Sequence, residues 1–192
     1  MSWEAVRPDP VSLRGLAHPL RVRMLALLRE EGPATATQLA KRLGQSTGAT
    51  SYHLRQLATY GFVVEDVGRG VGRERWWRAA HRSTVVDGEV GRQALAEAES
   101  YLRAVAALYA DRMDRWLTEL PTQPKLWQDC ANLSDWRLQL TPAEARELRE
   151  AIVGLVQRYR RDDPEAPAPA GAEPTVLQLQ LMPFPRAAME KP

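Results

Sequence analysis

The sequence predicts a mainly helical chain with small β elements, an α+β class, and three observations predict it. Apolar residues recur at helical spacing through most of residues 10–120. Residues 62–78 read instead as two strand-forming runs around a glycine-rich turn. Beyond residue 126, strand-like alternation lies on either side of one well-capped helix. These divide the chain into an N-terminal domain over 10–82, a long helix over 88–120 and a small strand-helix-strand unit over 126–192. A Pro/Ala-rich loop at 162–174 is expected to be mobile.

In chain order, Asp9-Pro10-Val11-Ser12 starts a short helical turn through Leu16. His18-Pro19 opens a stronger helix, with proline at its favoured first position. Leu20, Met24, Leu27 and Leu28 give it a buried stripe, and Gly32-Pro33 ends it. Two short helices joined by a tight turn follow over 35–61. Thr35 with Gln38 three residues on is a capping box. Leu39, Ala40 and Leu43 form the apolar face, and Gly44 stops the helix because glycine tolerates the left-handed conformation. Ser46 caps the second helix, whose buried face is Thr50, Leu54 and Leu57, and Gly61 is the next stop.

The other side of that second helix is the informative one. Thr47, Ser51, Tyr52 and Arg55 lie opposite the leucines, and no acidic residue occurs between Gln45 and Gly61. A helix that approaches a polyanion needs that absence, since each carboxylate would repel phosphate. Hydroxyls can donate to phosphates or base edges, and arginine can take a guanine bidentately. The bland alternative is an ordinary helical hairpin with a polar face.

After Gly61, residues 62–67 are rich in strand formers and residues 74–78 form a second such run. The turn between them carries Arg69 and Arg73, with Arg75 just beyond. Three helices and a hairpin make a winged helix-turn-helix, with Ser46, Thr47, Ser51, Tyr52, Arg55, Arg69, Arg73 and Arg75 as its candidate double-stranded-DNA contacts. A solvated loop is the alternative for the arginines. Of Trp76 and Trp77, at least one is expected in the core.

Charge placement agrees. The chain's net charge is only +2, yet residues 1–82 hold 13 Lys and Arg against 7 Asp and Glu, and residues 83–192 hold 13 against 17. A basic N-terminal part facing nucleic acid fits that asymmetry. The 44% apolar content suffices for a core. The N-terminus lacks an apolar signal segment and no run approaches 18 apolar residues, so no membrane span is expected. With Cys130 the single cysteine, no internal disulfide is expected and a cytoplasmic location fits best.

Three motifs together resemble the ArsR-type winged-helix regulators. Leu16, His18, Pro19 and Arg21 match the entry to the family's first long helix. Ser46, Ser51, His53 and Leu54 match its recognition helix, and Gly61, Phe62 and Val63 its entry to the wing. The resemblance covers about residues 10 to 80 and implies a dimeric DNA-binding transcription regulator, usually a repressor. Metal sensing, common among such regulators, is not carried over. There is no Cys-x-Cys, and His18, His53 and His81 stand alone, so no metal or cofactor is expected.

The chain continues well past the wing, where such regulators often end. Leu95, Leu102, Tyr109 and Trp116 recur every seven residues, with Ala98, Val105 and Met113 beside them. A helix over 89–120 cannot bury that stripe on itself, so Leu95, Leu102, Val105, Tyr109, Met113 and Trp116 are the expected homodimer contacts. A helix packed only within its own chain is the alternative. Residues 135–140 and 176–182 alternate as strands around a helix that starts with the capping box Thr141-Pro142-Ala143-Glu144 and runs to about residue 161, with Leu148, Ile152, Leu155 and Tyr159 inward. Trp116, Trp127 and Trp136 are expected in the core, the alternative being an apolar small-molecule effector pocket in the C-terminal region. Cys130 is expected to be an ordinary buried or half-buried thiol. No phosphate loop, nucleophile elbow or metal spacing occurs, so no enzyme activity is expected. Two functions remain: a DNA-binding regulator, acting as a homodimer on an inverted repeat, or a winged-helix module for protein contact without DNA.

Overall fold

The structure is a computed structural model and describes residues 5–69, 74–160, 162 and 167–184. It divides into two units, Met1–Thr122 and Gln123–Pro192. The α+β class stands: helices dominate, and two small sheets occur in the first unit.

The first unit opens with β1 (Ala5–Val6) and α1 (Pro10–Leu13), which Asp9 caps by accepting the Ser12 N–H at 2.7 Å. A single 3-10 turn, Arg14–Leu16, leads to α2 (Pro19–Glu30). His18 caps α2 through Nδ1, which accepts the Leu20 N–H at 3.1 Å. Next come β2 (Ala34–Thr35), α3 (Ala36–Leu43), α4 (Thr47–Thr59), β3 (Val63–Glu65) and β4 (Trp76–Ala79). β4 is the centre of a three-stranded antiparallel sheet, paired with β3 as Val63–Ala79 through Glu65–Trp77 and with β2 as Ala34–Trp77. β5 (Ser83–Thr84) then runs parallel to β1, a pairing of two residues each that sequence periodicity cannot signal.

The core gathers Leu13, Leu16, Met24, Leu28, Leu54, Leu57, Phe62 and Val63, all at most 3% exposed. Leu13 and Leu16 come from the short N-terminal turn, which therefore belongs to the domain rather than preceding it. Gly15 is required there. A Cβ on it would lie 2.6 Å from the Tyr60 Cβ and 2.8 Å from the Phe62 ring, so the backbone of that turn lies directly against the end of α4. Trp77 is the core tryptophan of the wing, while Trp76 is half-buried with the Arg69 guanidinium 5.6 Å from its ring centre.

The expected single helix over 89–120 is two helices. α5 (Gly88–Gln93) starts under an Asp87 cap, and α6 (Leu95–Glu119) follows after a break at Ala94, whose φ and ψ of −133° and 60° are not helical. Ala94, Ala98 and Ala104 are buried, and Tyr101 and Val105 pack onto the same core. Ser100 donates to the Ala17 carbonyl at 3.2 Å, and an Arg112–Glu30 ion pair joins α6 to α2. Arg29, half-buried, donates to the His81 carbonyl and to the Thr84 hydroxyl, both at 2.9 Å, and so fastens α2 to the segment after the wing.

The second unit departs from expectation. α7 (Lys125–Cys130) was not signalled by the sequence, and α8 (Pro142–Val156) ends before residue 161. The capping box holds, with the Thr141 N–H donating to Glu144 at 2.7 Å. Neither 135–140 nor 176–182 forms a strand, so the expected strand-helix-strand arrangement around α8 is not formed. Alternation marks a segment able to lie half-buried on a sheet, but a strand also needs a neighbour to complete its hydrogen bonds. Leu148 and Ile152 are half-buried as expected, whereas Leu155 and Tyr159 are exposed. Trp136 is 76% exposed instead of core, and Cys130 is an exposed free thiol instead of a buried one. Of the Pro/Ala-rich loop, residues 163–166 lie outside the described residues; the rest includes a turn closed by the Ala172 N–H on the Pro169 carbonyl at 3.1 Å.

Candidate nucleic-acid interface

The interface is built on the α3-turn-α4 unit. Thr35 and Gln38 form both bonds of the capping box, at 2.8 and 3.2 Å, and set where α3 begins. Gly44 closes α3 at φ 62° and ψ 38°, a conformation that costs glycine little, and the Gln45 N–H returns to the Ala40 carbonyl at 2.9 Å. The chain thereby turns within three residues. Ser46 caps α4 by accepting the Ala49 N–H at 3.2 Å, which leaves its own O–H free to donate.

Thr50 fixes the angle between the two helices. It is fully buried, and its hydroxyl lies 2.9 Å from the Ala36 carbonyl and 3.0 Å from the Thr47 carbonyl. A hydroxyl has one proton to give, so α4 shares it between its own backbone and the first residue of α3. Below Thr50, Leu54 and Leu57 are fully buried. α4 is therefore a rigid rod held by its apolar side, with the opposite side free.

Residues 16–66 match the model of a family described as a helix-turn-helix domain. No curated protein matches the chain. The match begins at Leu16, spans α2, α3 and α4 and ends one residue past β3, so it covers the unit whose geometry is given above.

On the free side of this helix-turn-helix domain, Thr47, Ser51 and Arg55 follow one another at four-residue spacing and line one open groove of about 450 Å³. Thr35 and Thr37 at the start of α3 close one wall, and Glu74, Arg75 and Trp77 of the wing close the other. The structure thus brings together Thr47, Ser51, Arg55 and Arg75 from the expected set. Ser46 sits at the helix start beside them. Tyr52 lies outside the groove: it is 51% exposed and stands edge-on to His53, with ring centres 5.2 Å apart. One step along a helix is about 100° of rotation, which separates it from the Ser51 row.

Thr37 is the residue that sequence reading missed. It is exposed in the first turn of α3, where free N–H groups and the positive end of the helix dipole favour an anion. Its position inside the capping box, two residues after Thr35, was the available signal.

The wing arginines are not free cations. Arg69 pairs with Asp66 at 3.4 Å and Arg75 with Glu65 at 3.8 Å, and Arg73 lies outside the described residues. Both pairs are solvent-exposed, so each is worth about 1 kcal/mol or less and a phosphate can displace the carboxylate. The Arg55 guanidinium has no ion-pair partner among the described residues. Among the residues lining the groove, Glu74 is the only acid.

Behind α4, His53 meets His18 with ring centres 4.5 Å apart, and Arg21 completes the cluster. Burial first, then the neighbouring His18 and Arg21, lowers the His53 pKa; burial and then Arg21 lower that of His18. A backbone N–H can only donate, so the His18 Nδ1 that receives Leu20 is unprotonated, and protonation there would remove the α2 cap. Folded pKa values below the unfolded value of about 6.5 mean that the unfolded chain binds protons first. The stability this cluster contributes is therefore complete above about pH 6.5 and is lost as pH falls towards the lowered folded values. Melting temperature measured from pH 7.5 to 5.5 should fall more steeply in the wild type than in a His18→Gln, His53→Gln protein. Parallel curves would show that the cluster does not titrate in this window.

Among the described residues, no helix is long and apolar enough to cross a membrane, and no group of three His, Cys, Asp or Glu could hold a metal ion.

Proposed function

We propose that this chain is a sequence-specific double-stranded-DNA-binding transcription regulator, a cytoplasmic repressor that acts as a homodimer on an inverted-repeat operator. One observation carries the reading. An acid-free helix, locked by Thr50 and its leucines, turns Thr47, Ser51 and Arg55 into an open groove whose other wall is Glu74, Arg75 and Trp77 of the wing. Resemblance to ArsR-type regulators over residues 10–80 supports the repressor role. No enzymatic step and no metal form part of the reading.

In this arrangement α4 enters the major groove and Arg55 reads a base, guanine by its bidentate geometry. Thr37, Ser46 and Thr47 hold phosphate and set the register. Arg55→Ala should cost about 1–3 kcal/mol on the operator and relax preference at one base position. Operator affinity that does not change would remove Arg55 from the interface.

Arg69 and Arg75 serve the phosphate backbone. Replacing either with alanine should weaken all sequences alike and reduce the slope of log K against log salt by about 1 per lost contact. A changed base preference with the slope intact would mean that the wing reads bases.

The dimer reading rests on α6. Its stripe divides: Val105 faces the protein's own core, while Leu95 and Leu102 are 70% and 57% exposed. With Ala98 and Ala106 they line a mostly apolar groove of about 590 Å³. Tyr109, Met113 and Trp116, further along, are half-buried. Leucines left in water along several turns favour a second copy as their cover.

A further inference from the structure

Glu74 stands in the groove that Thr47, Ser51 and Arg55 of α4 face, and its carboxylate has no assigned use there. The side chain is exposed and has no hydrogen bond or ion pair among the described residues. The two other acids of the wing are occupied, Asp66 by Arg69 at 3.4 Å and Glu65 by Arg75 at 3.8 Å. Glu74 therefore holds nothing in the fold, and its charge acts on whatever the groove takes up. Along a phosphate backbone that charge is a cost, because a carboxylate repels phosphate.

The same groove holds the matching cation. Arg55 lines it too, and its guanidinium has no ion-pair partner among the described residues. One unpaired cation on α4 thus shares the groove with one unpaired carboxylate on the wing. These charges fit the two halves of one base pair. In the major groove guanine offers only acceptors, N7 and O6, while cytosine offers a donor, its N4 amino group. Thymine turns the acceptor O4 outward, which a carboxylate repels. Adenine has an amino group but sets the acceptor N7 beside it, a pattern that suits a side-chain amide better than a carboxylate. Cytosine alone presents a donor with no acceptor next to it.

We propose that Glu74 is a specificity-determining residue of this interface: it accepts a hydrogen bond from the N4 amino group of a cytosine, while Arg55 takes the guanine paired with that base. This assignment rests on the double-stranded-DNA reading proposed above and adds a rule of selection to it. Every sequence that fails to bring an amino group to Glu74 leaves its carboxylate facing acceptors and phosphate, unpaired. Discrimination then comes from that repulsion as much as from the bond itself. Arg75, next to Glu74 in the chain, stays with the phosphate backbone, so the wing contributes one contact to position and one to sequence.

The test uses the full-length wild type, Glu74→Ala and Glu74→Gln. Each protein selects its sites from a duplex library with a randomised core, and each is titrated with sheared DNA of mixed sequence. Wild type should select cytosine at one position of each half-site. Glu74→Ala should lose about tenfold or more of that preference, as expected for one well-made base contact, and should bind mixed-sequence DNA more tightly than wild type. Glu74→Gln should move the preference at the same position from cytosine towards adenine, since an amide can donate to N7 and accept from N6 together. Both variants should keep the wild-type melting temperature, because Glu74 has no partner to lose. Identical selected sites from all three proteins would overturn the assignment and leave DNA recognition standing. An equal rise in affinity for selected and mixed DNA, with base preference unchanged, would also overturn it, since the carboxylate would then only repel phosphate. A wild type that selects no sequence from the library would overturn both.

Discussion

Phe62→Ala should destabilise the N-terminal domain by about 3–5 kcal/mol, the range for removing a fully buried aromatic ring. Phe62 is 1% exposed. It stands where three parts of the domain meet. Its N–H donates to the Leu57 carbonyl at the end of α4 at 2.9 Å, and its carbonyl receives the Ala80 N–H from beyond β4, also at 2.9 Å. Its ring lies against Gly15. Small neighbours cannot move in to fill the space, because Gly15 has no side chain and β3 is held by β4. A domain of this kind has about 5–15 kcal/mol in total, so the loss removes a large share of it. Operator binding should fall in proportion to the unfolded fraction and recover at lower temperature. Denaturant unfolding of the two proteins measures the difference; a value under about 1 kcal/mol would mean that the ring is not part of the core that positions α4.

What makes Phe62 informative is that the sequence already placed it at the entry to the wing. Legibility followed the caps and stops. Thr35 with Gln38, Gly44, Ser46 and the Thr141 box act within a few residues, so their chemistry can be read without the fold, and the structure shows each of them. The apolar faces of α3 and α4 were legible because each helix has one side to bury, whereas α2 buries Val22 and Leu25 with Met24 and Leu28 and leaves the expected Leu20 and Leu27 half-buried. Contacts set by distant segments were not. No glycine or proline announces the break at Ala94; it follows from seating Ala94 and Ala98 in the core while α5 runs from its own Asp87 cap. The pairing of β1 with β5 joins residues almost eighty positions apart.

The site was legible in part for the same reason. Thr47, Ser51 and Arg55 share a row on one helix, and periodicity finds rows. Thr37 reaches the groove from the neighbouring helix, and only the angle set by Thr50 puts it there. Asp66 and Glu65 pair with the wing arginines across a turn and a strand pair, which made the wing look more cationic in sequence than it is. Alternation at 136–140 and 177–181 remained ambiguous because the pattern describes a face, and what covers a face is not written in the segment that carries it.

Leu102→Glu should turn the protein into a monomer that no longer holds its operator. Leu102 is 57% exposed and lies in the apolar groove with Leu95, Ala98 and Ala106, away from the side of α6 that packs on the N-terminal core. A carboxylate there meets water in the monomer and costs the fold little. In a dimer it would be buried against its own copy, two like charges in an apolar seam, which costs several kcal/mol. Tyr109→Glu is less clean, because Tyr109 already lies beneath Arg112, with the guanidinium 5.7 Å from the ring centre, and Arg112 is tied to Glu30. One recognition helix reads only a few base pairs. A two-fold pair doubles the contacts and sets half-sites about 34–36 Å apart, or a multiple of that, so the dimer and the inverted repeat stand together. The variant should therefore keep its melting temperature, bind bulk DNA weakly with the usual salt dependence, and lose most of its preference for the operator, a preference that typically amounts to about 10³-fold or more. Light scattering at micromolar concentration checks the mass, and competition between operator and bulk DNA checks the preference. A wild type that is monomeric, or a Leu102→Glu protein that dimerises and selects the operator as before, would remove α6 from the interface.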